Sequence, residues 1–146
     1  MSWHIEVVPA WTSSVPAAAG WSTLTPGARG VAIAFAVSGT AHLVRPSVFR
    51  PLIPPALPAK DAWIVGTGVA ELASAAGLVT GQRWAPAATF LTLLAVWPGN
   101  AWHAVATQRS SAHPAVKAGV WARLPLQVPM LRAAAEPYRA EVSDAN

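Results

Sequence analysis

The stretch Asp61–Val79, DAWIVGTGVAELASAAGLV, decides how the chain folds. Apart from Asp61 at its edge and Glu71 in its interior, nothing in it carries a charge, and most of the rest is Ala, Gly, Val or Leu. About 20 mainly apolar residues cover a hydrocarbon core about 30 Å thick. The stretch therefore reads as a membrane-spanning helix with a glutamate at membrane depth. An ionisable side chain there costs on the order of 3 kcal/mol unless it is paired, and it faces the bundle interior or a cavity. Glu71 thus becomes the first residue to explain.

Three more segments have the same character. They are Gly27–Val44 (GARGVAIAFAVSGTAHLV), Arg83–Thr107 (RWAPAATFLTLLAVWPGNAWHAVAT) and Ala115–Ala135 (AVKAGVWARLPLQVPMLRAAA), the last interrupted by Arg123. The link TGQ between the second and third is short enough to make those helices antiparallel neighbours. Small residues along the spans let backbones approach closely where packing drives association in lipid. The expectation is an all-α integral membrane four-helix bundle. It consists of a Trp- and Pro-containing tail over 1–26, a transmembrane domain over 27–135 with spans at 27–44, 61–79, 83–107 and 115–135, and a solvated tail over 136–146. RPSVFRPLIPPALPAK, with five prolines in sixteen residues, cannot continue a helix and reads as an ordered cap between the first two spans, with Phe49, Leu52 and Ile53 turned towards the membrane interface.

Composition agrees. Of 146 residues 53% are hydrophobic and only 11% charged, too apolar for a soluble domain of this size. The absence of cysteine excludes disulfides, thiolate metal sites and thiol chemistry carried by this chain. The net charge of +4 comes from Lys and Arg scattered singly, which fits positions flanking spans and not a nucleic-acid surface. The first 26 residues lack the charged start, continuous apolar core and small-residue cleavage site of a signal peptide.

Six polar residues lie in the spans: His42, Glu71, Asn100, His103, Arg123 and Gln127. With a rise of about 1.5 Å per residue, Glu71 sits roughly 15 Å and Arg123 roughly 12 Å from the same membrane face. Pairing the two is the most economical way to keep both in lipid. Asn100 falls near that level. His42 and His103 lie close to that face, with Ser38 one turn from His42 and Gln127 one turn from Arg123. Pro98, Pro125 and Pro129 each free a backbone carbonyl that a neighbouring Asn, Gln or Arg can satisfy. Three readings stay open: polar glue between helices, the floor of a binding pocket for a small molecule or lipid headgroup, and proton or electron transfer. Two histidines and a glutamate suit a divalent metal, and two histidines suit haem b, but no ligand spacing supports either. His4 and His113 receive no role. No phosphate-binding glycine loop, HExxH motif or nucleophile triad occurs, so no catalytic residue is assigned.

SGTAHLVRPSVFRPLIPPALP, GTGVAELASAAGLV, PGNAWHAV and ARLPLQVPML together resemble the DoxX-like family of small four-helix bacterial membrane proteins. The resemblance covers roughly Gly27 to Arg132 and rests on His42, Pro46, Glu71, Pro98, Asn100 and the run Arg123–Gln127. It implies a multi-pass protein of the bacterial inner membrane with both ends cytoplasmic, an orientation that the nearly balanced flanking positive charges do not themselves decide. It also implies a larger membrane complex as partner, since some relatives are named as a subunit of a thiosulfate:quinone oxidoreductase. The expected function is a non-catalytic accessory subunit of such a complex. The alternative is an oxidoreductase component holding a quinone or lipid-like molecule in the polar cavity; the lipid bilayer is a partner in either case.

Overall fold

The computed structural model describes residues 19–138. The tail residues 1–18 and 139–146, and the roles read for them, lie outside that range. Four α-helices follow one another: α1 Pro26–Val44, α2 Lys60–Val79, α3 Ala85–Gln108 and α4 Pro114–Ala135, with a short 3-10 helix at Pro46–Leu52 between the first two. The described residues form no strand beyond one isolated bridge.

Local chemistry sets the helix ends. Thr25 accepts from the Ala28 amide and Pro26 occupies the first turn of α1, where a missing N–H costs nothing. The His113 ring plays the same part for α4, accepting from the Ala115 amide ahead of Pro114. α2 ends at Gly81, whose φ of 68° lets the Gln82 amide turn back to the Gly77 carbonyl at 2.8 Å. At the other end of α2, Ala59 holds a φ of 51°, a strained value for a residue with a Cβ. Beside it the guanidinium of Arg50 grips the carboxylate of Asp61 through two bonds of 2.9 and 2.8 Å, fixing the 3-10 helix to the first turn of α2.

Each helix packs on two others, α1 and α3 both lying between α2 and α4, and the α1–α4 contact is the least extensive of the four. The closest approach joins α1 and α2. A Cβ built on Gly39 would lie 2.7 Å from the Gly68 carbonyl, and one built on Gly68 would lie 2.6 Å from the His42 Cβ. Only glycine at both positions allows this crossing.

The core is not uniform along the bundle. Leu24, Ala28, Ala32, Leu78 and Ala85 close one end, and Val31, Phe35, Ala75, Leu93 and Ala134 fill the adjoining layer. A clasp seals that end. Leu24 and Tyr138 form an antiparallel bridge, the Thr25 amide donates to the Pro137 carbonyl at 2.8 Å, and the Tyr138 hydroxyl donates to the Leu78 carbonyl at 3.0 Å. Burial pushes the Tyr138 phenol above its ordinary range. The other end holds the 3-10 helix, which packs on α1, α2 and α3 as a lid.

That lid departs from the sequence reading. Phe49, Leu52 and Ile53 are half-buried and turn inward, over a cavity between the helices, instead of towards the membrane interface. Phe49 finds the ring of His42 at a centroid distance of 3.6 Å, and such a stack outweighs exposure to solvent or lipid.

The glycine crossing is directly testable. Gly68→Ala is expected to cost about 1–3 kcal/mol, because the added methyl meets a Cβ that cannot swing away. Gly66→Ala, one residue pair along the same helix, meets nothing within 4 Å and should be neutral or slightly stabilising. Thermal unfolding of the two variants in detergent decides; equal stability would remove the crossing from its central place.

Candidate functional site

Glycine spacing aims the two titratable residues of the α1–α2 crossing. Gly39 precedes His42 by three positions and Gly68 precedes Glu71 by three, so each glycine and its titratable neighbour share a helix face. Across the antiparallel crossing Gly39 lies against Glu71 and Gly68 against His42, so the close approach brings the two titratable residues together. His42 Nδ1 lies 3.2 Å from Glu71 Oε2, with both side chains buried.

The pair is not a well-made hydrogen bond. His42 Nδ1 is also 3.0 Å from the Ser38 carbonyl, which can only accept, so a proton on Nδ1 is drawn there. Glu71 Oε2 is within ion-pair distance of the imidazole, yet it receives no aligned donor from the protein. The residue is 4% exposed. A carboxylate oxygen buried without a donor is expensive, and the described residues supply none.

Glu71 faces a cavity between the helices. A cavity of about 210 Å³ lies beneath the 3-10 lid, lined by Ser38, His42, Phe49, Trp63 and Glu71 among others. A second lobe, also about 210 Å³, extends between α1, α3 and α4 past Phe35, Leu93, Leu126 and Met130. Ser38, Glu71, Val96, Asn100 and Arg123 line both lobes and form the waist between them. The walls are mostly apolar, and the polar groups gather at the waist, which is the composition of a small-molecule site.

The sequence-predicted residues divide as follows. His42, Glu71, Asn100 and Arg123 border the first lobe, and Glu71, Asn100, Arg123 and Gln127 the second. His103 is half-buried and borders neither, although it follows Asn100 by three positions. The expected Glu71–Arg123 pair is absent: among the described residues the ion pairs are His42–Glu71 and Arg50–Asp61. The two residues do share a depth, but the glycine crossing commits Glu71 to α1, and Arg123 remains exposed at the rim.

Polar glue exists at a different place. Gln127, 4% exposed, donates from Nε2 to the Leu93 carbonyl and accepts weakly from Asn100 Nδ2 at 3.5 Å. That carbonyl is one residue before the one Pro98 leaves without its helical partner. Gln127 and Asn100 thus tie α4 to α3, while Glu71 and Arg123 are left to the cavity. Among the described residues no group of three His, Asp or Glu side chains converges to hold a metal ion.

Sequence reading missed Phe49 as a partner for His42 and the two glycines as its cause. The second had a signal, the repeated three-residue offset between glycine and titratable residue; the first had none.

If Glu71 served as structural glue, removing it would unfold the bundle. The orphaned oxygen points the other way. Glu71→Met should leave the fold intact and raise the thermal midpoint of the ligand-free protein by a few degrees. A midpoint lowered by ten degrees or more would return Glu71 to a structural role.

No curated protein and no solved structure matches the chain. A family model does, over residues 31–137, which takes in most of α1, all of α2, α3 and α4, and every residue of the waist. The chain belongs to the family described as a domain of unknown function (DUF8561).

Proposed function

We propose that the chain is a four-span protein of the bacterial inner membrane, DoxX-like in kind, that holds a quinone or lipid-like molecule in its internal cavity. α1 and α2 are each long and apolar enough to cross a membrane, with only 33% and 39% of their apolar windows buried within the bundle. Apolar helices so little covered by their own bundle support lipid as their surroundings, since the core helices of a soluble domain are mostly covered. α3 contains no Asp, Glu, Lys or Arg. Outward-facing Leu91 and Leu126 on α3 and α4 are 63% and 57% exposed, which lipid explains better than water. Trp21 and Trp84 ring the clasped end and Trp63 and Trp102 lie towards the other, as interfacial indoles do.

The observation that carries the ligand reading is Glu71 Oε2, buried at the waist without a donor. A ligand that donates to it removes the cost that the empty protein bears. The two apolar core layers at the clasped end argue against a pore, because they leave no polar path through that half. No group of three His, Asp or Glu side chains gathers at the cavity among the described residues, and the chemistry proposed for the chain itself is binding. An accessory subunit that presents its ligand to a larger membrane complex would use the same site.

Topology can be checked cleanly because the chain has no cysteine. Gln82→Cys, in the turn between α2 and α3, and Ser111→Cys, between α3 and α4, should react with an impermeant maleimide from opposite sides of sealed vesicles. Labelling of both from one side would end the four-span reading. Organic extraction of protein purified in mild detergent, followed by mass spectrometry, should yield a quinone or lipid at close to one per chain. Purified protein that carries neither, and regains neither when offered them, would end the ligand reading.

A further inference from the structure

The waist holds a carboxylate, Glu71, set beside His42 without an aligned donor, and a guanidinium, Arg123, that it does not touch. Glu71 is buried with one oxygen lacking a donor. Arg123 is exposed at the rim of both lobes and makes no hydrogen bond or ion pair among the described residues. Two opposite charges on one cavity of an apolar bundle would gain by closing on each other, and the fold keeps them apart. The glycine crossing fixes Glu71 against His42, and α4 is fixed by the Gln127 bond to the Leu93 carbonyl. An arrangement of this kind suits a guest that carries a hydrogen-bond donor at one end and an anion at the other.

The shape of the cavity gives the guest a direction. Arg123 and Leu126 on α4 and Ala34 on α1 are exposed and also line the second lobe, so that lobe opens sideways between α1 and α4. These two helices make the least extensive of the four contacts in the bundle. The opening faces what the reading above makes the lipid phase. A guest entering there meets Arg123 first and Glu71 at the end, with apolar Leu126 and Met130 along the way.

Resting on the ligand-binding reading above, we propose that the cavity binds the headgroup of an aminophospholipid, inserted between α1 and α4. Its primary ammonium donates to Glu71 Oε2, its phosphate meets the Arg123 guanidinium at the rim, and its acyl chains stay outside against Leu126. Guanidinium and phosphate match in geometry, and an ammonium donates to a carboxylate as a charge-assisted bond. The pairing neutralises both protein charges at once, which a purely neutral guest does not.

The discriminating probe is the headgroup methylation series, because it removes N–H donors while keeping charge and phosphate. Full-length protein, delipidated in detergent, is offered mixed micelles containing equimolar phosphatidylethanolamine, its N,N-dimethyl derivative, phosphatidylcholine and a ubiquinone, and retained molecules are read by native mass spectrometry. The expected result is retention of phosphatidylethanolamine over phosphatidylcholine by roughly tenfold, with the dimethyl lipid between them. Glu71→Gln should bring that ratio close to one, and Arg123→Leu should weaken retention of all three phospholipids alike. Equal retention of the three by the unaltered protein overturns the proposal without recourse to any variant. Retention of the ubiquinone alone overturns it too and leaves the ligand-binding reading standing, whereas retention of nothing overturns both.

Discussion

Everything in this bundle follows from two helices touching where neither has a side chain. The contact of Gly39 with Gly68 sets the separation of α1 and α2, and because Gly39 lies against Glu71 and Gly68 against His42 it also sets His42 against Glu71. A methyl group at either glycine would push the helices apart and separate the titratable pair before any other part of the structure noticed. Close approach has its own reward, since backbones that touch gain dispersion contacts along the whole crossing. Here it also imposes a constraint, because the carboxylate it places next to an imidazole is left short of a donor.

Two halves result. Towards the clasp the four helices are filled with Ala, Leu, Val and Phe and closed by Tyr138. Towards the lid the side chains do not fill the space between the helices, and Phe49 covers the gap by stacking on His42. The solid half supplies the stability that lets the other remain hollow and carry an unsatisfied group. Proteins concentrate such local cost at sites that serve something other than folding.

The sequence made the helices legible because length and apolar character are enough to find them. The α-helices lie within two residues of the stretches read as spans, since prolines at 26, 86 and 114 and Gly81 mark their ends in plain letters. Depth was legible too, being only a count of residues. Azimuth was not. Depth put Glu71 level with Arg123 and suggested a pair; which way each residue points around its helix depends on crossings that no single helix encodes. In small-residue helices the hydrophobic pattern is nearly the same all round, so no apolar stripe marked the inner face. The 3-10 lid was legible as an interruption, from its prolines, but its inward turn depended on a ring in another element, His42, that sequence spacing did not join to Phe49.

The clasp has a consequence for how the protein is made. Leu24 is among the first of the described residues to leave the ribosome and Tyr138 the last, so the bridge between them and the bond to Leu78 cannot form until α4 has been synthesised. α1 and α2 meet their glycines early and can pair as a hairpin while the rest is still being translated. The final turn of the ring is left to the segment after α4, which must find a β-like partner laid down long before. Until it does, the Leu78 carbonyl lacks its tyrosine, and the ring of helices stays open at that end.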